Sequence, residues 1–80
     1  MTCALVVDDR EDNVYLLQSL LRGHGFAVVT ATNGAEALTR ARAHPPDVII
    51  SDLLMPVMDG YTLLREWKGD KSLARIPYIV

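Results

Sequence analysis

Four short apolar runs alternate with three stretches of helical periodicity, and no other feature of these 80 residues restricts the fold so strongly. Ala4-Leu5-Val6-Val7 is β-branched at its end and stops at Asp8-Asp9, so it reads as a strand buried on both faces. Val14, Leu17, Leu20 and Leu21 then recur at helical spacing, with Glu11, Asp12, Gln18 and Arg22 on the other side. Gly23 and Gly25 end that helix. Phe26-Ala27-Val28-Val29-Thr30 is the second strand. Asn33, with Glu36 three residues later, makes an N-cap and a partial capping box. The helix it opens runs through Ala35, Leu38 and Ala41 to His44-Pro45-Pro46, and Ala35, Ala37 and Ala41 read as packing residues. Asp47-Val48-Ile49-Ile50-Ser51-Asp52 is a third buried strand that also ends on aspartate. Pro56 and Asp59-Gly60 punctuate the next loop. Asp59 caps a helix through Tyr61, Leu63, Leu64 and Trp67 to Gly69, and Ile76-Pro77-Tyr78-Ile79-Val80 is the fourth strand.

The order βαβαβαβ predicts one α/β domain over residues 1–80: a doubly wound parallel sheet with right-handed crossovers and helices on both faces. Ligands of such sheets sit beyond the carboxyl ends of the strands, where the strand order reverses. If the first and third strands are neighbours, Asp8, Asp9 and Asp52 face one crevice.

Composition narrows the chemistry. Half the residues are hydrophobic, ample for a packed core. A net charge of −2 without runs of like charge gives little support to direct nucleic-acid binding. No segment is long and apolar enough to span a bilayer, and the N-terminus lacks a signal-peptide pattern, so a cytoplasmic soluble domain is the default expectation. The lone Cys3 forms no internal disulfide and reads as a small buried side chain.

Three carboxylates at one sheet edge repel one another, and a bound Mg²⁺ or Mn²⁺ removes that penalty with hard oxygen ligands. The expected set is Asp9 and Asp52 directly, Asp8 directly or through water, and a backbone carbonyl from the following loop. A carboxylate beside such an ion attacks phosphorus to form an aspartyl phosphate. Asp52 suits that role because it stands alone at its strand end, whereas Asp8 and Asp9 are placed as metal anchors. The bland alternative is also open: an Asp-Asp pair ahead of a helix serves as N-cap and dipole partner. Asp12 and Glu11 serve the first helical turn.

Val6-Val7-Asp8-Asp9, Asn33-Gly34-Ala35-Glu36-Ala37-Leu38, Pro46-Asp47-Val48-Ile49-Ile50-Ser51-Asp52 and Met55-Pro56-Val57-Met58-Asp59-Gly60 together resemble a response regulator receiver domain. The four segments, in this order and spacing, cover essentially the whole chain. The resemblance implies the flavodoxin-like receiver fold with strand order 2-1-3-4. It also implies Mg²⁺ dependence, and phosphoryl transfer from a sensor histidine kinase or a histidine phosphotransfer domain. It maps the phosphoacceptor onto Asp52, the acidic metal residues onto Asp8 and Asp9, and the metal-binding carbonyl onto Leu54. A domain of this kind takes part in its own phosphoryl transfer but is not a turnover enzyme.

The family pattern continues with a Ser or Thr at the end of the fourth strand, a fifth strand, a lysine and two more helices, none of which lies within residues 1–80. The expectation is therefore a C-terminally incomplete receiver domain that is either marginal in stability or self-associates through its uncovered surfaces. Lys68 and Lys71 are poor substitutes for that lysine, and Tyr78, within the fourth strand, does not occupy the family's aromatic switch position. His24 and His44 read as exposed turn residues, Arg10 as a solvated neighbour of the pocket, and Tyr61, Trp67, Met55 and Met58 as packing and loop residues. Two other functions compete. A haloacid-dehalogenase-type phosphatase uses a second aspartate two residues after the nucleophile, but that position is Leu54. A phosphorylation-independent interaction module keeps the fold without the switch.

Overall fold

The computed structural model describes residues 2–51 and 60–79, with the side chains of residues 60 and 61 left out. Along the chain run β1 (Cys3–Val7), α1 (Glu11–Gly23), β2 (Ala27–Ala31), α2 (Gly34–Ala43), β3 (Val48–Ser51), α3 (Gly60–Gly69) and β4 (Tyr78–Ile79). The strands form one sheet in the order β2-β1-β3-β4. All three pairings are parallel. Both the doubly wound α/β class and the strand order 2-1-3-4 are as the sequence leads one to expect.

β1 lies between β2 and β3, with α1 packed over one face and α2 over the other, and Ala4 through Val7 are at most 1% exposed. Leu5, Val7, Ala31 and Ile49 join Ala37, Leu38 and Ala41 of α2, Leu63 and Trp67 of α3, and Leu73 in one core on one face of the sheet. Ala4 and Val6 point the other way, where α1 packs against β1 and β2. The two faces are unequal. None of the α1 side chains is buried, and Leu16, Leu20 and, on β4, Ile79 are each at least half exposed.

Local chemistry explains the element ends. Gly25 adopts φ +87°, a left-handed conformation that suits glycine. Around it the Phe26 N–H donates to the Leu21 carbonyl and the Gly25 N–H to the Arg22 carbonyl, a Schellman closure of α1. Phe26 is thus consumed by the helix cap, and β2 begins one residue later than its apolar run suggests. Asn33 caps α2 by accepting from the Glu36 N–H at 2.8 Å. Glu36 does not return the bond as a full capping box would: its carboxylate accepts from Thr32 Oγ1 and Arg40 Nε. Buried positions on α2 are 34, 37, 38 and 41, a stripe at helical spacing. Ala35 lies off that stripe and is exposed, which corrects its reading as a packing residue. Asp47 ties the start of β3 to β1, because its carboxylate accepts from the Cys3 N–H at 2.7 Å while its own N–H donates to the Cys3 carbonyl. Cys3 itself is only half buried.

Between α3 and β4 the chain is held by Asp70. Its Oδ1 accepts from the Ser72 hydroxyl and N–H at 2.6 and 2.9 Å, and its Oδ2 from Arg42 Nε at 3.0 Å. The Ser72 hydroxyl first, and then Arg42, hold this carboxyl down from the ordinary 3.8 to about 2. A carboxyl depressed by folding contributes stability that is present above pH 3.8 and lost as pH falls from there through about 2. Urea midpoints across that acid window are expected to fall less steeply for Asp70→Asn than for the natural chain. Equal slopes would show that the contacts of Asp70 do not survive in solution.

Candidate functional site

The carboxyl ends of β1 and β3 come together as the topology requires. Val7 pairs with Ser51 in the parallel register, so Asp8 follows directly on the position level with Ser51, the residue that precedes Asp52 in the sequence. Asp8 stays on the sheet, since its N–H donates to the Ala31 carbonyl at 3.1 Å and continues the β1–β2 ladder. Its side chain is held from the helix that follows: Oδ1 accepts from the Arg10 N–H at 3.0 Å and Oδ2 from Asn13 Nδ2 at 3.3 Å. Asp8 therefore does part of what the bland reading allowed, by bonding at the α1 N-terminus, although the N-cap position is Arg10.

The burial of Asp8 sets it apart. It is 7% exposed, and no arginine, lysine or histidine forms an ion pair with it among the described residues. A carboxylate in that position is costly unless a cation compensates it. Asp9 is exposed at the same edge. Asp52 and Leu54 lie outside the described residues, as do Met55, Met58 and Asp59. The described residues alone hold no cluster of three acidic, histidine or cysteine side chains arranged for a metal.

A cavity of about 310 Å³ opens beside this edge, lined by Asp8, Asp9, Glu11, Tyr15, Thr30 and Thr32 among others. A larger one of about 500 Å³ lies among Cys3, Leu5, Val29, Ala41, His44 and Pro46, and it contains no carboxylate. Of these two, only the smaller is lined by carboxylates. Hard carboxylate oxygens, one of them on a buried group without an ion-pair partner among the described residues, are a donor set that fits Mg²⁺ or Mn²⁺.

Arg10 points away from Asp8, its guanidinium 3.3 Å from Asp12 in an exposed pair. Glu11 and Asp12 occupy the first turn of α1, where their charge complements the helix dipole. His24 and His44 are exposed at the C-termini of α1 and α2. Sequence reasoning missed Asn13, which supports Asp8 from one turn into α1; its place on the pocket side of that helix was the only signal. It also missed Ser51, buried at the end of β3 and hydrogen-bonded to Tyr78.

Comparison with known proteins gives a consistent answer. PleD of Caulobacter vibrioides, a response regulator, is 43% identical over 76 residues, which is 95% of this chain and 17% of PleD. PilH of Pseudomonas aeruginosa is 35% identical over the whole chain, which spans 66% of PilH. Among solved structures, the chemotaxis response regulator CheY4 of Vibrio cholerae superposes with a TM-score of 0.93 at 35% identity, over 98% of this chain and 65% of that one. Residues 4–80 match the response regulator receiver domain. By that match, the flavodoxin-like sheet and these relatives, the chain belongs to the response regulator receiver domains, the signalling domains of two-component systems.

Proposed function

We propose that the chain is a phosphoacceptor, taking a phosphoryl group on Asp52 from a sensor histidine kinase or a histidine phosphotransfer domain. The observation that carries this reading is the nearly buried Asp8 carboxylate, without a cation partner among the described residues, one position past the Val7–Ser51 pairing. Asp8, Asp9, Asp52 and the Leu54 carbonyl would hold Mg²⁺, with Mn²⁺ as an alternative. The ion, when bound, offsets charge on the transferring phosphoryl oxygens.

The protein's own part follows from its geometry. Asp8 is fixed by the Arg10 N–H and by Asn13, so it offers oxygens that need not reorganise. An Asp52 oxygen forms the new bond to phosphorus as the donor's P–N bond breaks, and the leaving imidazole keeps the electron pair and takes a proton from water. Asp52 is consumed once per transfer, so the domain is a signalling partner and not a turnover enzyme. The proposed setting is the cytoplasm.

Incubating the full chain with Mg²⁺ and a small acyl phosphate is expected to add one phosphoryl group by intact mass. Borohydride reduction, which cleaves acyl phosphates, is expected to locate it at Asp52. An adduct elsewhere, or none at any Mg²⁺ concentration, overturns the assignment and favours a phosphorylation-independent interaction module. Release of many phosphates per chain would instead favour the phosphatase.

A further inference from the structure

One polar contact near the phosphoacceptor edge has no role in the reading above. Ser51 is 3% exposed at the end of β3, directly before Asp52, and a hydrogen bond joins its hydroxyl to that of Tyr78. Tyr78 belongs to β4, whose described pairing with β3 is limited to Ile49–Tyr78 and Ile50–Ile79. The side-chain bond therefore ties β4 to the residue next to the acceptor.

The other side of Tyr78 meets Trp67. The two rings pack edge to face, with centroids 5.9 Å apart and planes at 73°. Trp67 is 0% exposed, and its indole N–H is buried without an acceptor among the described residues.

We propose that Tyr78 is a positioning residue for Asp52, acting through Ser51, and that Trp67 reports the state of the acceptor through the Tyr78 ring. The inference rests on the receiver reading and extends it to a relay from the end of β3 through β4 to α3. Burial pushes the Tyr78 phenol above its ordinary 10.0, so at neutral pH the hydroxyl is intact and able to hold the bond. Ligation or phosphorylation at Asp52 pulls on the adjacent Ser51, and the Ser51–Tyr78 bond passes that displacement to the ring against Trp67.

Trp67 is the sole tryptophan of the sequence, so its emission can be followed without interference. The full chain is titrated with Mg²⁺ alone and then phosphorylated with a small acyl phosphate, with emission and intact mass recorded together. Both steps are expected to change Trp67 emission. Tyr78→Phe keeps the ring and removes the hydroxyl. It is expected to abolish most of the emission change and to slow phosphorylation about fivefold, the factor that one ordinary hydrogen bond is worth. Ser51→Ala is expected to do the same, leaving both rings in place should Tyr78→Phe fold poorly. The double variant is expected to be no worse than either single one. Additive effects, or an unchanged emission response in either single variant, overturn the relay. A natural chain that gains the phosphoryl group while its emission stays constant overturns the relay alone. A natural chain that neither binds Mg²⁺ nor gains mass overturns the receiver reading, and the relay with it.

Discussion

Asp8→Asn is expected to lower Mg²⁺ affinity about 100-fold or more, the upper end of what loss of an outer-shell partner costs a metal site. Asparagine has the same shape and keeps an oxygen to accept from the Arg10 N–H, now 3.0 Å from Oδ1. Its amide nitrogen would face Asn13 Nδ2, another donor, so the second bond is kept only when the Asn13 amide turns over to present its oxygen. At worst one bond is lost, at a cost of about 1 kcal/mol. Against it stands the removal of a nearly buried charge that lacks a cation partner among the described residues, a gain of similar or larger size. Metal affinity therefore collapses while the thermal midpoint stays level or rises, and that opposition in sign is the diagnostic. Calorimetric titration with Mg²⁺ beside a melting curve checks it. If the midpoint falls and affinity does not, Asp8 is a helix-end group and nothing more. Asp52→Asn is the limiting case, with no acyl phosphate formed at all.

Much of this arrangement is legible in the amino-acid order, because the alternation of apolar runs and helical faces leaves few foldings for so short a chain. Val6-Val7-Asp8 and Ile50-Ser51-Asp52 announce two buried strands ending in acid, and the observed register sets Val7 beside Ser51. Periodicity is less reliable at element ends, where backbone hydrogen bonds compete with the apolar pattern. Phe26 reads as strand but is taken by the cap of α1. Ile76 also reads as strand, yet its N–H donates to the Leu73 carbonyl within the preceding turn, so β4 starts at Tyr78. Ala35 resembles Ala37 and Ala41, although small residues carry no directional signal and only the helical phase separates them.

Tertiary hydrogen bonds are not legible at all. Nothing local in Ser51 or Tyr78 indicates that their hydroxyls meet, since the contact depends on how β4 is staggered against β3. Asn13 gives a weak hint from its position on α1, and the buried state of Asp8 gives none, because aspartate at a strand end is usually solvated. Charge without a partner is a property of the packed molecule. It emerges only when neighbouring strands and α1 close around the carboxylate.

Trp67→Ala is expected to cost about 3–5 kcal/mol, the range for deleting a fully buried large aromatic side chain. The magnitude matters because the whole reserve is small: an 80-residue domain at ordinary stability per residue has about 4–12 kcal/mol. Trp67 is 0% exposed and belongs to the core in which β1, β3, α2, α3 and Leu73 meet, so no solvent-facing route relaxes the hole. The edge-to-face contact with Tyr78 would be lost as well, a further ~0.5–1.5 kcal/mol where it is not already counted in the truncation. Trp67→Phe separates packing from polarity. It keeps most of the buried area and removes an indole N–H that has no acceptor among the described residues, so it is expected to cost clearly less than Trp67→Ala, with the smaller cavity as its main penalty. Leu20→Ala is the control on the other side of the sheet: at 54% exposure its loss is expected to stay under about 1 kcal/mol. Urea denaturation followed by far-UV circular dichroism measures all three without relying on tryptophan. A Trp67→Ala penalty no larger than that of Leu20→Ala would mean that the two faces of the sheet are equally loose. The core would then not lie between the sheet and the α2–α3 pair.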